Sequence, residues 1–248
     1  MWAGRSRFDA DKQATPLRKM RSIDLEGERS CEMTTVETGP LTPATGASGH
    51  PMFKQGATPS GVYAIRHGET AWSLSGQHTG TTDIPLTDNG RRLAERIAPA
   101  LAKEKFARVL VSPRQRARET CELVHLGAGA VIDPDLAEWN YGEYEGLTSH
   151  QIRERAPGWL LFRDGCPGGE TPEDVGARAD RVIARVREVD GNVALFAHGH
   201  ILRVLAARWI ALPASAGQHF LLDTGTLCVL GHYQEIPAIK IWNAPFSK

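Results

Sequence analysis

Cysteine is scarce and scattered. The 248-residue chain holds four, Cys31, Cys121, Cys166 and Cys228, with no Cys-x-x-Cys pair. That spacing excludes a zinc knuckle and a disulfide framework and fits free thiols in a reducing cytoplasm. Net charge is also absent, since 29 basic residues balance 29 acidic ones. Neither nucleic acid nor an anionic membrane is therefore expected as a partner. Long apolar runs are missing too: stretches such as Val193 to Ala197 fall far short of the roughly 20 residues that a bilayer-spanning helix needs. From Met1 to about Ser48 basic and acidic residues are equal in number and no apolar segment follows them, which argues against a secretory signal and against an acid-poor transit peptide.

With 41% hydrophobic and 23% charged residues, the composition is that of an ordinary soluble globular protein with material for one sizeable core. That material is unevenly spread. Residues 1–58 are rich in Ser, Thr, Gly and Pro without a sustained period of 3.6 or 2, as in Thr38-Gly39-Pro40-Leu41-Thr42-Pro43, and are expected to form a disordered extension. Met33 and Met52 are candidate alternative starts. Residues 59–248 are expected to form one domain.

Strand and helix patterns alternate through that domain. Val62 to Ile65, Phe106 to Val111 and Asn192 to Ala197 read as short buried strands, Val131-Ile132 as an edge strand, and Thr226 to Leu230 and Ile239 to Trp242 as closing strands. Thr87 can cap a helix whose Leu93, Ile97 and Leu101 recur at helical spacing. Pro113 is expected at the first position of a helix running from Arg114 to about Leu126, Thr148 begins a short helix to about Arg155, and Thr171, Pro172 and Asp174 start a long one to about Val189. Ile201 to Ile210 completes the set. Strands alternating with helices indicate an α/β fold, a three-layer α/β/α sandwich with a mostly parallel central sheet. Such a sheet delivers the residues that follow its strands, His67, Ser112 and His198, to one edge.

Those residues carry chemistry. Arg66 offers a planar fork of donors suited to phosphate or carboxylate, and His67 beside it is a nucleophile near pH 7; Gly68 allows a sharp turn out of the sheet. Arg114, Arg116 and Arg118 crowd a helix start whose dipole prefers negative charge, a conflict that a bound anion relieves. The long polar connection Glu69 to Thr87 is placed to line a pocket. In Leu136 to Gly146, aromatics beside Glu138, Glu143 and Glu145 are expected to raise a carboxyl pKa and keep a general acid protonated. His198-x-His200 raises the question of a metal, but the cysteines lie in unrelated segments and no metal or other cofactor is expected. Nothing in the residues specifies an oligomeric state.

Arg66-His67-Gly68, Ser112-x-x-x-Arg116-Ala117-x-x-Thr120, Glu138 ahead of Tyr141-Gly142-x-x-Glu145-Gly146, and Ala197-His198-Gly199 stand in the order found in the histidine phosphatase superfamily. The chain resembles this phosphoglycerate mutase-like group over about Gly61 to Trp242. The resemblance implies that His67 becomes a phosphohistidine, that Arg66, Arg116 and protonated His198 surround the phosphoryl oxygens, and that Glu138 is the proton donor, with Glu145 holding the loop. It also implies substrate contacts from Ser73 (where mutases commonly carry asparagine), Thr79, Gly80, Tyr141, Gly199 and Arg203. Only about two dozen residues separate Gly146 from Thr171, fewer than cofactor-dependent mutases carry, which favours hydrolysis. The expectation is a phosphomonoesterase acting on small phosphorylated metabolites, similar to the sedoheptulose-bisphosphatase and broad acid phosphatase branch. The alternatives are a cofactor-dependent phosphoglycerate mutase and a non-catalytic phospholigand-binding protein.

Overall fold

The computed structural model describes residues 61–245. The expected extension over residues 1–58 and the alternative starts lie outside the described residues. Six strands form one sheet: β1 (Val62–Arg66), β2 (Phe106–Val111), β3 (Ala130–Ile132), β4 (Asn192–Ala197), β5 (Leu227–Tyr233) and β6 (Ile236–Ala244). Their order is β3-β2-β4-β1-β5-β6. The first four in that order run parallel, β5 is antiparallel to β1, and β6 is antiparallel to β5. Seven α-helices lie among the strands: α1 (Ala71–Ser75), α2 (Asp88–Leu101), α3 (Gln115–Leu123), α4 (Ser149–Arg155), α5 (Leu161–Asp164), α6 (Pro172–Arg187) and α7 (Gly199–Trp209).

Side-chain alternation along the strands builds the three layers. Val62 and Ala64 of β1 with Val193, Leu195 and Ala197 of β4 pack against Val182 of α6 and Val204 of α7. Ile65, Ala194 and Phe196 point to the opposite face and meet Ile97 and Leu101 of α2 and Ala117 and Cys121 of α3. All these side chains are buried, and each large aliphatic one removed from water contributes about 1.5–3 kcal/mol. Burial pushes the thiols of Cys121, Cys166 and Cys228 up to about 12, so they are packing groups rather than nucleophiles.

Local signals fix most helix starts. Thr87 accepts from the Gly90 amide at the head of α2. Thr148 and Thr171 form capping boxes with Gln151 and Asp174 at the heads of α4 and α6. Two expectations shift. Pro113 does not open α3; Arg114 is its extended N-cap, and its amide donates to Ser112 Oγ at 3.3 Å. The Glu69–Thr87 connection is not all loop, because Thr70 and Ser73 form a capping box that starts α1. Five residues without an apolar stripe leave no periodicity to detect.

Candidate active site

The register of the parallel strands assembles the site. Arg66 pairs with Ala197 and Val111 with Phe196, so the residues that follow them, His67, His198 and Ser112, emerge side by side. His67 N donates to Ala197 O at 3.0 Å and Ser112 N to Phe196 O at 2.9 Å. The rings of His67 and His198 lie 5.1 Å apart between centroids. Gly68 serves close approach rather than a left-handed turn. A Cβ there would lie 2.3 Å from Gly90 O, so α2 can pack directly against the chain leaving β1.

Neighbours that can play only one role fix the histidine tautomers. His67 Nδ1 lies 2.6 Å from Gly68 O, and since a carbonyl only accepts, Nδ1 carries the proton and Nε2 keeps its lone pair. Burial and the charges of Arg116 and Arg66 hold the His67 pKa well below 6.5, so the ring is neutral. Arg116 Nε donates to His198 Nδ1 at 3.1 Å, which leaves the His198 proton on Nε2, where it is donated to Ser112 Oγ at 2.6 Å. Burial and the same cation push His198 well below 6.5. The expectation of a protonated His198 is therefore corrected: no dipole conflict at the start of α7 awaits an anion, because the imidazole is neutral and both its nitrogens are engaged.

Two guanidiniums flank these rings, Arg116 buried and Arg66 half-buried. Arg66 donates from one terminal nitrogen to Leu222 O, while its buried Nε has no protein partner. A Cβ at position 199 would lie 3.2 Å from Arg66 Cζ, so Gly199 makes room for this cation. Arg116 is fully buried and donates to Thr82 O at 3.0 Å and Thr79 O at 2.8 Å. Thr79 and Gly80 thus hold Arg116 through their carbonyls, and the Gly80 amide donates to Glu145 at 3.0 Å. Glu145 also accepts from Thr82 N at 2.9 Å, which makes it the anchor of the loop.

Glu138 stands opposite, 8% exposed. Its Oε1 accepts from Trp139 N at 2.9 Å and Ile201 N at 3.0 Å, and Oε2 accepts from His200 N at 3.0 Å. Burial works to raise this carboxyl, but hydrogen bonding from the His200 side chain, whose Nδ1 lies 3.7 Å from Oε2, and from the His200 amide prevails and holds it well below its usual range. The expected upward shift is overturned in sign. The aromatics do surround the carboxyl, but the first turn of α7 supplies it with amides and a favourable dipole.

Beside Glu138 is a ring cluster that joins the expected Tyr141 and His200 to His78, whose part in it had no sequence signal. Tyr141 Oη lies 2.6 Å from His200 Nδ1. His78 stacks parallel to His200 at 6.1 Å and meets Tyr141 edge-on at 4.8 Å. Trp139 and Phe162 complete the wall. Arg178 and Glu170, also missed, clamp the Glu138 segment. Arg178 donates to Ala137 O at 2.9 Å and to Glu170 at 2.7 Å, while Glu170 accepts from Asn140 N at 2.8 Å. No sequence signal marked them, since each acts on backbone more than 25 residues away.

Two expected contacts have their polar groups engaged within the protein. The Ser73 hydroxyl accepts from Thr70 N and donates to Thr70 O, both at 2.9 Å, so it is used inside the helix cap. Arg203 lies 4.6 Å above the Phe162 ring and donates to Gly217 O at 3.0 Å and Gln218 O at 3.1 Å, which fixes a rim segment. Among the described residues no three His, Cys, Asp or Glu side chains gather as a metal site, and no helix is long and apolar enough to cross a membrane.

The family model of the histidine phosphatase superfamily (branch 1) matches residues 62–245. The chain belongs to the histidine phosphatase superfamily. Among relatives of this histidine phosphatase, the acid phosphatase of Mycobacterium tuberculosis is 42% identical over 171 residues, covering 67% of this chain and 84% of that protein. Sedoheptulose 1,7-bisphosphatase of Saccharomyces cerevisiae is 36% identical over 180 residues, 60% of this chain and 66% of that one. The solved structure of the open reading frame Rv3214 from Mycobacterium tuberculosis superposes with a TM-score of 0.73 at 37% identity, covering 75% of this chain and 98% of that one. The three-layer sandwich expected from the sequence is thus the phosphoglycerate mutase-like fold, and the histidine phosphatase is a hydrolase of the phosphatase type.

Proposed function

We propose that the protein hydrolyses small phosphorylated metabolites, sugar phosphates or compounds like them, in the cytoplasm and without a metal, through a phosphohistidine on His67. One observation carries the reading: a neutral imidazole with its Nε2 lone pair free lies beside the half-buried Arg66, whose buried Nε has no protein partner. A buried unpaired donor is costly unless a ligand satisfies it, and a phosphoryl oxygen would do so.

In the first step the His67 Nε2 lone pair attacks phosphorus and the ester P–O bond breaks, its electrons leaving with the alkoxide. Glu138 gives that oxygen a proton. In the second step Glu138 takes a proton from water, the water oxygen bonds to phosphorus, and the P–N bond returns its pair to Nε2 as inorganic phosphate departs. Glu138 starts as a carboxylate, but a phosphate dianion arriving beside it disfavours a second buried negative charge, so the carboxyl takes up its proton with the substrate. Arg66 and Arg116 spread positive charge over the equatorial oxygens, which is most of what phosphoryl transfer asks of a protein. His198, neutral and bonded to Arg116 and Ser112, aligns this cradle. Gly199 and Tyr141 shape the space for substrate, and Thr79 and Gly80 act through Arg116.

The acid phosphatase and sedoheptulose-bisphosphatase relatives support hydrolysis over transfer. Release of inorganic phosphate from a panel of sugar phosphates, run against interconversion of phosphoglycerates with their bisphosphate present, tests the choice. Hydrolysis should dominate; faster mutase turnover would reverse it.

A further inference from the structure

The stacked pair His78 and His200 is left over once the phosphate chemistry is accounted for, yet it adjoins the proposed proton donor: the His200 amide donates to Glu138 Oε2. Each ring has one nitrogen already committed. His78 Nδ1 lies 2.8 Å from Leu147 O, a group that only accepts, so Nδ1 carries the proton and Nε2 is a bare acceptor. Tyr141 is buried and its hydroxyl holds its proton, burial raising it well above 10. A phenol also accepts, and Glu138 Oε2 lies 3.7 Å from the same His200 Nδ1, so Nδ1 carries the proton toward the Tyr141 oxygen at 2.6 Å and the carboxylate and leaves His200 Nε2 a bare acceptor. Two rings whose planes are 6° from parallel thus offer two acceptors, both rings uncharged.

We infer that His78 Nε2 and His200 Nε2 form a subsite that reads neighbouring hydroxyls of a polyol leaving group, one hydroxyl donating to each ring. The inference rests on the hydrolase reading above and adds the class of ester that the site selects. A hydroxyl can donate to each of these lone pairs, whereas a phosphate dianion has no proton to give. A second phosphate would meet a lone pair on His78 and find no cation in the pair. The apolar flank of a sugar suits the aromatic wall, where Trp159 meets His78 edge-on at 5.6 Å. Buried polar groups built for a substrate hydroxyl reject analogues that lack it, because they are then left unpaired.

The test compares sorbitol 6-phosphate with n-hexyl phosphate, two primary alkyl esters of equal carbon count that differ in hydroxyls. The wild-type enzyme should prefer the polyol. In His78→Phe and His200→Phe the ratio of the two kcat/KM values should fall at least about tenfold, mainly through KM. The substitutions His78→Gln and His200→Asn keep an acceptor and should retain part of the preference. They also keep the measurement informative if a phenylalanine variant misfolds. An unchanged ratio in folded variants, with an acid-labile phosphoenzyme still formed, overturns the subsite alone. Hydrolysis of neither ester by the wild type overturns the hydrolase reading and the subsite with it.

Discussion

The two sides of the site are built differently. The phosphate side, with Arg66, His67, Ser112 and His198, hangs from the ends of three parallel strands whose register places them together. The opposite side, with Glu138, Tyr141, His78 and His200, is assembled from loops and one helix start. It is held by side chains gripping backbone: Glu145 on the amides of Gly80 and Thr82, Arg178 on the carbonyl of Ala137, Glu170 on the amide of Asn140. A sheet edge fixes reacting groups with no added parts, whereas a loop wall needs its own braces and is free to vary with substrate.

The largest effect should come from the strand side. In His67→Ala, kcat/KM should fall by roughly 10⁴-fold or more on every ester, because a covalent step has lost its nucleophile; steady-state assays with alkyl and aryl esters check this. Across the site, Glu138→Gln should lower kcat by about 10²–10⁴-fold on sugar phosphates, and by much less on p-nitrophenyl phosphate, whose leaving group needs no proton. Equal losses on both esters would break the assignment of the proton to this side. A brace should cost less than the group it holds. Arg178→Met should reduce kcat on alkyl esters by on the order of tenfold while inhibition by inorganic phosphate, read on the strand side, moves little.

The buried histidines make the same contrast through pH. His67, His198, His78 and His200 all have folded pKa values lowered by burial, His200 to about 4. The unfolded chain, with histidines near 6.5, takes up protons that the folded one refuses, so stability is full above 6.5 and declines as pH falls below it. The slope approaches about 1.4 kcal/mol per pH unit for each such histidine, and the lowered Glu138 acts in the same sense at lower pH. Urea midpoints flat from pH 7.5 to 5 would contradict the neutral assignments. The smallest effect is expected at Ser73→Ala, under about 1 kcal/mol in stability from the α1 cap with little change in KM, since its hydroxyl is spent on Thr70.

The strand side was legible in the sequence because apolar strands ending in Arg66-His67 and His198 carry local signals, and because Thr87, Thr148 and Thr171 announce their helices one residue ahead. Legibility ended where the deciding partner was remote. The sign of the Glu138 shift depends on amides at His200 and Ile201, more than 60 residues on. The neutral state of His198 depends on burial and on Arg116. Aromatic composition near Glu138 pointed to desolvation correctly but carried no information about the helix start that outweighs it. His78, in a polar connection, looked like any loop residue until its ring was seen stacked on His200.

The covalent intermediate is the central claim. The enzyme is mixed with ³²P-labelled substrate, quenched within milliseconds in alkali, and the labelled peptide is sequenced. Label on His67, stable in base, lost in acid and absent from His67→Ala, is the predicted result. Label on another residue, or stoichiometric label in the alanine variant, would contradict it.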